Sequence, residues 1–383
     1  MPDTNAPLLR WTRFASDPRG TGPEKRSAQI QTLCREFGFA VDNMQPPASL
    51  PRWRIWSAGL VARMRFGSRA AVDRPGPGLL GYRSAFYRSA LARHRGARVL
   101  LWETTYDNLL PVMAREAGFR VIALPHNLES LVSEAVFNDP GYDPTADLTA
   151  EVRRLALADA VFTIAKEERW FLEARGLAPG YLPYYPDPAL VSECTAIRQR
   201  RAALACADGT VRGPLLILGS AFNPATSRGM EQQLEWLAAM PSAGTEIVVA
   251  GGQTDVVLAS HARPGVELLG RVTREKLTTL LEKCSALLIH TFGGAGAVTR
   301  IPEALLAGVP IIANFNAARD QFGTPGVHVY ESATTFATLV RLPLTMPPAP
   351  QRPHEAEERF RLELVRLVNL GSAQSLIGDK AKP

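Results

Sequence analysis

Cysteine is scarce in this chain. There are four in 383 residues, Cys34, Cys194, Cys206 and Cys284, far apart and without a C-x-x-C pair. Neither a zinc site nor a disulfide framework is indicated, and a reducing cytoplasm suits them. No run of about 18 apolar residues occurs, and Met1 to Arg13 lacks the basic-then-apolar order of a signal peptide, so neither a span nor secretion is expected. Charged residues make up 21% and hydrophobic residues 46%, ordinary globular usage that argues against disordered, collagen-like and coiled-coil chains. There is no lysine-rich stripe and no nucleic-acid-binding motif beside the 43 Lys and Arg that face 37 Asp and Glu. Nucleic acid is therefore not an expected partner. The net charge of +6 suits anionic substrates or an acidic membrane surface.

What the chain does have is a repeated alternation of apolar runs and helical patterns. Leu8 to Phe14 reads as a strand, Ser16 to Pro23 as a loop with Gly20 and Gly22, and Glu24 to Phe37 as a helix. Phe39 to Val41 is a short strand, followed by a Pro-rich stretch from Pro46, an Arg-rich helix near Ile55 to Phe66, a loop over Arg69 to Gly81 and a basic helix around Tyr82 to Arg93. Apolar runs then recur at Val99 to Trp102, Arg120 to Leu124 and Ala160 to Ile164. After the three prolines of Leu182 to Pro188, runs follow at Leu215 to Leu218, Glu246 to Ala250, Val266 to Leu269, Ala286 to Ile289 and Val309 to Ala313, with helices near Met230 to Ala239 and Arg274 to Cys284. Strand-helix-strand spacing with wholly apolar strands means parallel sheets covered on both faces. The expected organisation is α/β: a first domain over 1–190, a linker over 191–213, a second domain over 214–345, and a Pro-rich tail with a terminal helix, His354 to Leu370, over 346–383.

Ligands of open parallel sheets sit beyond the carboxyl ends of the strands. Those ends are rich in glycine here: Gly219-Ser220, Gly251-Gly252, Gly270-Arg271 and His290-Thr291-Phe292-Gly293-Gly294-Ala295-Gly296. Any one such ending is an ordinary tight turn, but four in one domain outline a crevice. In the segment running on to Arg300-Ile301-Pro302-Glu303, small residues admit a diphosphate to backbone N–H groups beside a helix N-terminus. Arg300 is placed to neutralise phosphate, and Glu303 to accept hydrogen bonds from ribose hydroxyls. The plainer alternative makes Glu303 a dipole complement and Arg300 a surface charge. His290 either contacts the glycine loop or lies beneath it. Lys166 to Arg169 reads as a solvated helix start.

Gly294-Ala295-Gly296 with Thr299-Arg300-Ile301-Pro302-Glu303-Ala304-Leu305-Leu306-Ala307-Gly308-Val309-Pro310, then Gly270-Arg271-Val272, Pro125-His126-Asn127, Ala158 to Ile164, and Gly219-Ser220 followed by Arg228-Gly229, resemble the GT-B glycosyltransferases, in particular the large retaining group called family 4. The resemblance covers nearly the whole chain. It implies two Rossmann-like, doubly wound domains facing across a cleft, with nucleotide-sugar donor in the second and acceptor in the first. Carried over, Glu303 matches the ribose-binding glutamate. Gly219, Ser220 and Arg228 match the diphosphate loop, and Gly270, Arg271 and Val272 match the loop that holds the base. Many members carry a second glutamate eight positions before the ribose one; here that position is Ala295, as in a subgroup with a small-residue loop and a basic residue such as Arg300.

The reaction so implied is transfer of a sugar from a UDP- or GDP-linked donor to a glycan or lipid-linked acceptor. It retains anomeric configuration and uses no metal or other cofactor, with Arg228, Arg300 and backbone N–H groups stabilising the leaving diphosphate. No D-x-D motif with a convincing strand-end position is evident. His126 joins the catalytic candidates as an orienting group, and Gly20, Gly22, Glu103 and Asn127 are the acceptor-side candidates. Arginines over Arg52 to Arg69 and Arg83 to Arg95, interleaved with Trp53, Trp56, Phe66, Tyr82, Phe86 and Tyr87, suggest docking on anionic lipid at the inner face of the membrane. The alternative there is a solvated face over core aromatics. Against the enzyme stands an inactive GT-B scaffold or nucleotide-binding protein, motivated by Ala295.

Overall fold

Short, fully apolar strands separated by helices can bury both faces only in a parallel sheet, and the chain builds two. The structure, a computed structural model, describes residues 7–45, 51–66, 77–103, 105, 109–132, 144–240 and 246–379. Two compact units result: Met1–Pro183 with Pro353–Pro383, and Tyr184–Arg352.

The first unit runs β1 (Leu8–Trp11), α1 (Gly22–Glu36), β2 (Val41–Asn43), α2 (Arg52–Phe66), α3 (Pro77–Arg93), β3 (Val99–Trp102), α4 (Leu109–Glu116), β4 (Arg120–Ala123), α5 (Thr145–Leu155), β5 (Ala160–Thr163), α6 (Lys166–Ala174) and β6 (Gly180–Tyr181). Its sheet order is β2-β1-β3-β4-β5-β6, every pairing parallel. The connection direction reverses between β1 and β3, which makes that gap the topological switch point.

The second unit runs α7 (Pro188–Leu204), β7 (Leu215–Leu218), α8 (Pro224–Ala239), β8 (Ile247–Ala250), α9 (Thr254–Val257), β9 (Val266–Leu268), α10 (Arg274–Lys283), β10 (Ala286–Ile289), α11 (Arg300–Leu306), β11 (Ile311–Asn314), α12 (Phe315–Ala318), β12 (Val327–Tyr330) and α13 (Ala333–Leu339). Its order, β9-β8-β7-β10-β11-β12, is the dinucleotide-binding arrangement, with its switch point between β7 and β10. One face packs Leu216, Val248, Leu287 and Ile289 against Leu190, Cys194 and Ile197 of α7 and Ile301 and Leu305 of α11. The other face packs Leu215, Ile217 and Val249 under Met230, Leu234, Tyr330 and Phe336.

The last helix, α14 (His354–Asp379), returns to the first unit. Phe360, Leu364, Leu367 and Val368 lie in one cluster with Leu8, Ile30, Val99, Leu101 and Phe162. Each such side chain contributes about 1.5 to 3 kcal/mol by burial. Leu362 and Leu370 of the same helix are exposed. The expected boundaries move accordingly. Most of the expected linker, 191–213, belongs to α7, whose N-cap Asp187 accepts a hydrogen bond from Ala189 N, and the C-terminal helix is no separate appendage. The short strand expected at Phe39 to Val41 starts at Val41. Pro77 to Gly81, expected as loop, are the first residues of α3; Arg69 to Gly76, and Pro46 to Leu50 of the Pro-rich stretch, lie outside the described residues.

Candidate functional site

At the switch point of the second unit the ends of β7, β8 and β10 converge. Gly219 is buried; a Cβ there would meet an Arg300 guanidinium nitrogen and the Met230 and Thr226 side chains. Gly251, at φ 138°, has room for no side chain, because its Cβ would fall 1.7 Å from the Gly219 carbonyl oxygen. Backbone, not side chains, therefore makes this edge, which is what close approach of a diphosphate needs. Arg300 donates to the Leu218 carbonyl, and burial lowers its pKa against the opposing pull of Glu303. Arg300 thus ties α11 to the end of β7 and is not the surface charge of the plainer reading.

Glu303 lies in the first turn of α11, half-buried, and accepts a hydrogen bond of 2.9 Å from the Tyr184 hydroxyl. Burial, with the nearby Glu303 charge, raises the Tyr184 pKa, so the phenol stays protonated and fixes the carboxylate by donating to it. Arg228, on α8, is exposed at the same end of the unit. Ser220 is exposed and its hydroxyl accepts from Phe222 N at 3.4 Å, a turn contact. Gly270, at φ 62°, packs against the Asp255 carboxylate; Arg271 is exposed and Val272 leans on the core.

The glycine loop after β10 is held from an unforeseen direction. Arg319 Nε donates to the Gly296 carbonyl at 2.9 Å, Nη1 to Gly294 at 2.5 Å and Nη2 to Ala295 at 3.2 Å. Three carbonyls drawn to one guanidinium fix the peptide planes of residues 294 to 296, with Gly294 and Gly296 at φ 92° and 76°. Asn314, at the end of β11, binds both the N–H and the carbonyl of Thr291. His290 lies beneath the loop, stacked on Phe292 and bonded through Nδ1 to the Tyr330 hydroxyl at 3.0 Å. Burial holds its pKa down at about 4.

The switch point of the first unit is filled differently. Arg10 of β1 and Glu103, the residue after β3, are both fully buried and ion-paired through Arg10 Nε. Arg10 Nη2 reaches Glu103 at 3.1 Å and the Ser27 carbonyl at 2.7 Å, and the Ser27 hydroxyl donates to Glu103 at 3.0 Å. His126 Nε2 lies 3.4 Å from the same carboxylate, and its ring stacks on Phe14 at 5.0 Å. Burial alone would raise the Glu103 pKa, but the Arg10 charge and the His126 and Arg10 hydrogen bonds outweigh it and hold it at about 2. Burial lowers the pKa of His126 more than Glu103 raises it, leaving a neutral imidazole.

The loop carrying His126 and Asn127 is pinned by two buried carboxylates. Glu168 accepts from Leu128 N at 2.8 Å; Glu151 accepts from Glu129 N, Ser130 N and the Ser130 hydroxyl. Lys166 to Arg169 is therefore more than a solvated helix start. Gly20 sits against Glu24, whose carboxylate folds back on the Thr21 N–H and hydroxyl to cap α1. Gly22, expected in the loop, is the first residue of that helix. Sequence reasoning missed Arg10, Ser27, Tyr184 and Arg319. An arginine inside an apolar strand, Arg10, is the one signal that could have found any of them.

No family model matches the chain, and no curated protein matches its sequence. Solved structures do match. Sucrose-phosphate synthase from Thermosynechococcus elongatus aligns with a TM-score of 0.58 at 14% identity, covering 98% of this chain and 100% of that one. Anabaena HepE, in complex with UDP and glucose, gives 0.56 at 14% identity over 98% and 100%. The trehalose 6-phosphate synthase of Burkholderia multivorans gives 0.55 at 12% identity, with 99% of both chains covered. The fold is thus that of the GT-B glycosyltransferases, two Rossmann-like α/β units.

Proposed function

We propose that the protein is a glycosyltransferase that moves a sugar from a nucleotide-sugar donor, UDP- or GDP-linked, to a glycan or lipid-linked acceptor. The carrying observation is the edge at the β7/β10 switch point. Glycine backbone that no side chain can enter is braced by Arg300, with a half-buried glutamate on the same helix as Arg300 held ready by the Tyr184 hydroxyl, and the helix that follows β7 carries an exposed arginine, Arg228. The fold, shared with proteins whose structures hold UDP, supports the same reading. Glu303 would accept the ribose hydroxyls. Arg228 and the loop N–H groups would take the diphosphate, with Arg300 holding the β7 end in place. Charge that develops on the leaving diphosphate is then met by groups already oriented, without reorganisation.

Retention and metal independence belong to the same proposal. This reading leaves the leaving-group charge to arginine and backbone. Glu103 is buried and committed to Arg10, so it is no nucleophile. His126, neutral and oriented by Glu103, would position a hydroxyl, and Gly20, Gly22 and Asn127 stand at the same end of the first unit. With a lipid-linked acceptor the enzyme would work at a membrane surface.

A thermal-shift panel with UDP, GDP, ADP, CDP and dTDP and their sugar conjugates tests the donor site. Ligand at about one hundred times its Kd stabilises by roughly 2.7 kcal/mol. One nucleotide series should raise Tm, and Glu303→Ala should abolish that rise while keeping the unliganded Tm within a few degrees. No shift with any nucleotide near millimolar concentration overturns the donor site and returns the chain to the inactive-scaffold reading. NMR of the product's anomeric proton tests retention.

A further inference from the structure

Helix α2 is apolar on two opposite sides, and only one of them is covered. Ile55, Gly59 and Ala62 face α3, so closely that a Cβ on Gly59 would lie 2.0 Å from the Pro77 carbonyl oxygen and one on Gly81 would lie 1.7 Å from that of Ile55. The other side carries Trp53, Trp56, Leu60 and Met64, which are 67%, 56%, 55% and 80% exposed. At about 100° per residue these four fall within an arc of roughly 80°. Together they show roughly 500 Å² of mainly apolar surface, near the upper end of what a soluble monomer exposes without a function for it.

The charges that α2 itself carries around this stripe have one sign. Arg52 and Arg63 flank it on one side and Arg54 and Arg65 on the other, all exposed, and neither α2 nor α3 contains an acidic residue. Arg54 lies over the Trp53 ring at 5.2 Å. At the C-terminal end of α2, Arg65 is ion-paired with Glu116 at 3.0 Å, and the two line a cavity of about 530 Å³ with Arg88, Arg95 and Arg98, in which Glu116 is the one acidic lining residue. The structure also sorts the aromatics that the sequence had grouped: Phe86 and Tyr87 are core residues, whereas Trp53 and Trp56 are not.

We propose that the outer face of α2 docks on an anionic lipid bilayer, with Trp53, Trp56, Leu60 and Met64 entering the interface and the flanking arginines and the arginine cavity meeting lipid headgroup phosphates. Guanidinium groups on both flanks of a narrow apolar stripe can stay at headgroup level while the indoles and aliphatic side chains sink, the geometry of a helix lying in the interface plane. Several arginines near an anionic surface add attraction that salt screens. A second copy of the chain suits this face less well, because a two-fold contact would set arginines against arginines across it.

Co-sedimentation of the full chain with vesicles tests the proposal. Vesicles of phosphatidylcholine with phosphatidylglycerol are compared with phosphatidylcholine alone, at low and high salt. Binding should be at least tenfold stronger to the anionic vesicles, and should fall at least tenfold in 0.5 M salt and in Trp53→Ser/Trp56→Ser/Leu60→Ser/Met64→Ser. Arg88→Ser/Arg95→Ser should narrow the preference for anionic lipid. Brominated acyl chains should quench tryptophan emission in the wild type. All substituted side chains are exposed, so an unchanged circular-dichroism melt should accompany the loss.

No binding at millimolar anionic lipid overturns the proposal, as does binding that the fourfold variant leaves unchanged. So does a dimer in sedimentation equilibrium that the fourfold variant dissociates, which would assign the stripe to self-association. Vesicle binding is read without turnover or nucleotide, so its failure is separate from failure of the donor site.

Discussion

Replacing Arg10 by methionine isolates the buried charge at the first switch point. Arg10 holds Glu103 by an ion pair and a second hydrogen bond in a place neither side chain shares with water. The Glu103 pKa lies at about 2, against an ordinary 4.5, a gap worth about 3 kcal/mol. Because the folded value is the lower one, that stability is complete above pH 4.5 and is lost as pH falls from there toward 2. In Arg10→Met the carboxylate keeps its burial and loses its counter-charge, which costs about 3 to 5 kcal/mol at pH 7. The fold must then take up a proton, on Glu103 or shared with His126 at 3.4 Å, so stability now declines as pH rises. Urea unfolding at pH 5 and pH 8 reads this through tryptophan fluorescence, since Trp11, Trp53, Trp56, Trp102 and Trp170 belong to the first unit and only Trp236 to the second. The wild type should gain nothing from this pair between those pH values, and the variant should be about 2 kcal/mol weaker at pH 8 than at pH 5. Arg10→Met/Glu103→Leu should recover most of the loss, as apolar replacements of buried pairs do. A single variant that costs under about 1 kcal/mol, or a double variant no better than the single one, refutes the electrostatic account.

Three further outcomes are expected. Gly251→Ala should destabilise by about 3 kcal/mol or shift the β7 end, since its Cβ would meet the Gly219 carbonyl oxygen at 1.7 Å; chemical denaturation and the nucleotide thermal shift together read this, and a neutral result contradicts the close approach. Arg319→Met removes all three hydrogen bonds to Gly294, Ala295 and Gly296 and should weaken nucleotide binding about tenfold or more with a small change in Tm; titration calorimetry showing unchanged Kd refutes a donor-site role for the loop. The His290 pKa of about 4 lies below the ordinary 6.5, so its contribution to stability is complete above pH 6.5 and is lost as pH falls toward 4. In His290→Gln the loss over that window should shrink, measured by Tm against pH, and an identical profile would remove His290 as a contributor.

Strands covered on both faces announce themselves. Val99–Trp102, Leu215–Leu218 and Ala286–Ile289 are bounded in the structure as their apolar runs are in the sequence. Edge strands do not: β6 is two residues long, and β12 reads Val-His-Val-Tyr with its first three positions only half-buried, so neither carries a continuous apolar run. The allegiance of α14 is also hidden, because an amphipathic pattern states that a face is buried and not against which sheet. Within the site, glycine and Glu303 were legible through a motif of fixed spacing. Tyr184 and Arg319 act on that motif from 119 and about two dozen residues away, and no local pattern encodes a partner at such a separation.

Arg10 shows why the two switch points differ in kind. Both units open a gap where the connection direction reverses, and in a parallel sheet that gap collects strand-end groups whatever the sequence. In the second unit the gap is lined by glycines, and the nearest guanidinium, Arg300, is turned to a main-chain carbonyl. That edge of bare backbone therefore leaves close approach open to a group brought from outside. In the first unit the gap is closed by an internal ion pair that fixes a neutral imidazole beside it. A site built so commits Glu103 to Arg10 and offers one well-held hydrogen-bonding ring, a group able to position a hydroxyl. If the Arg10 variants behave as expected, loss of that internal charge balance should weaken acceptor use without altering the nucleotide-induced rise in Tm. A variant that lost both together would show that the two switch points do not divide the substrates in this way.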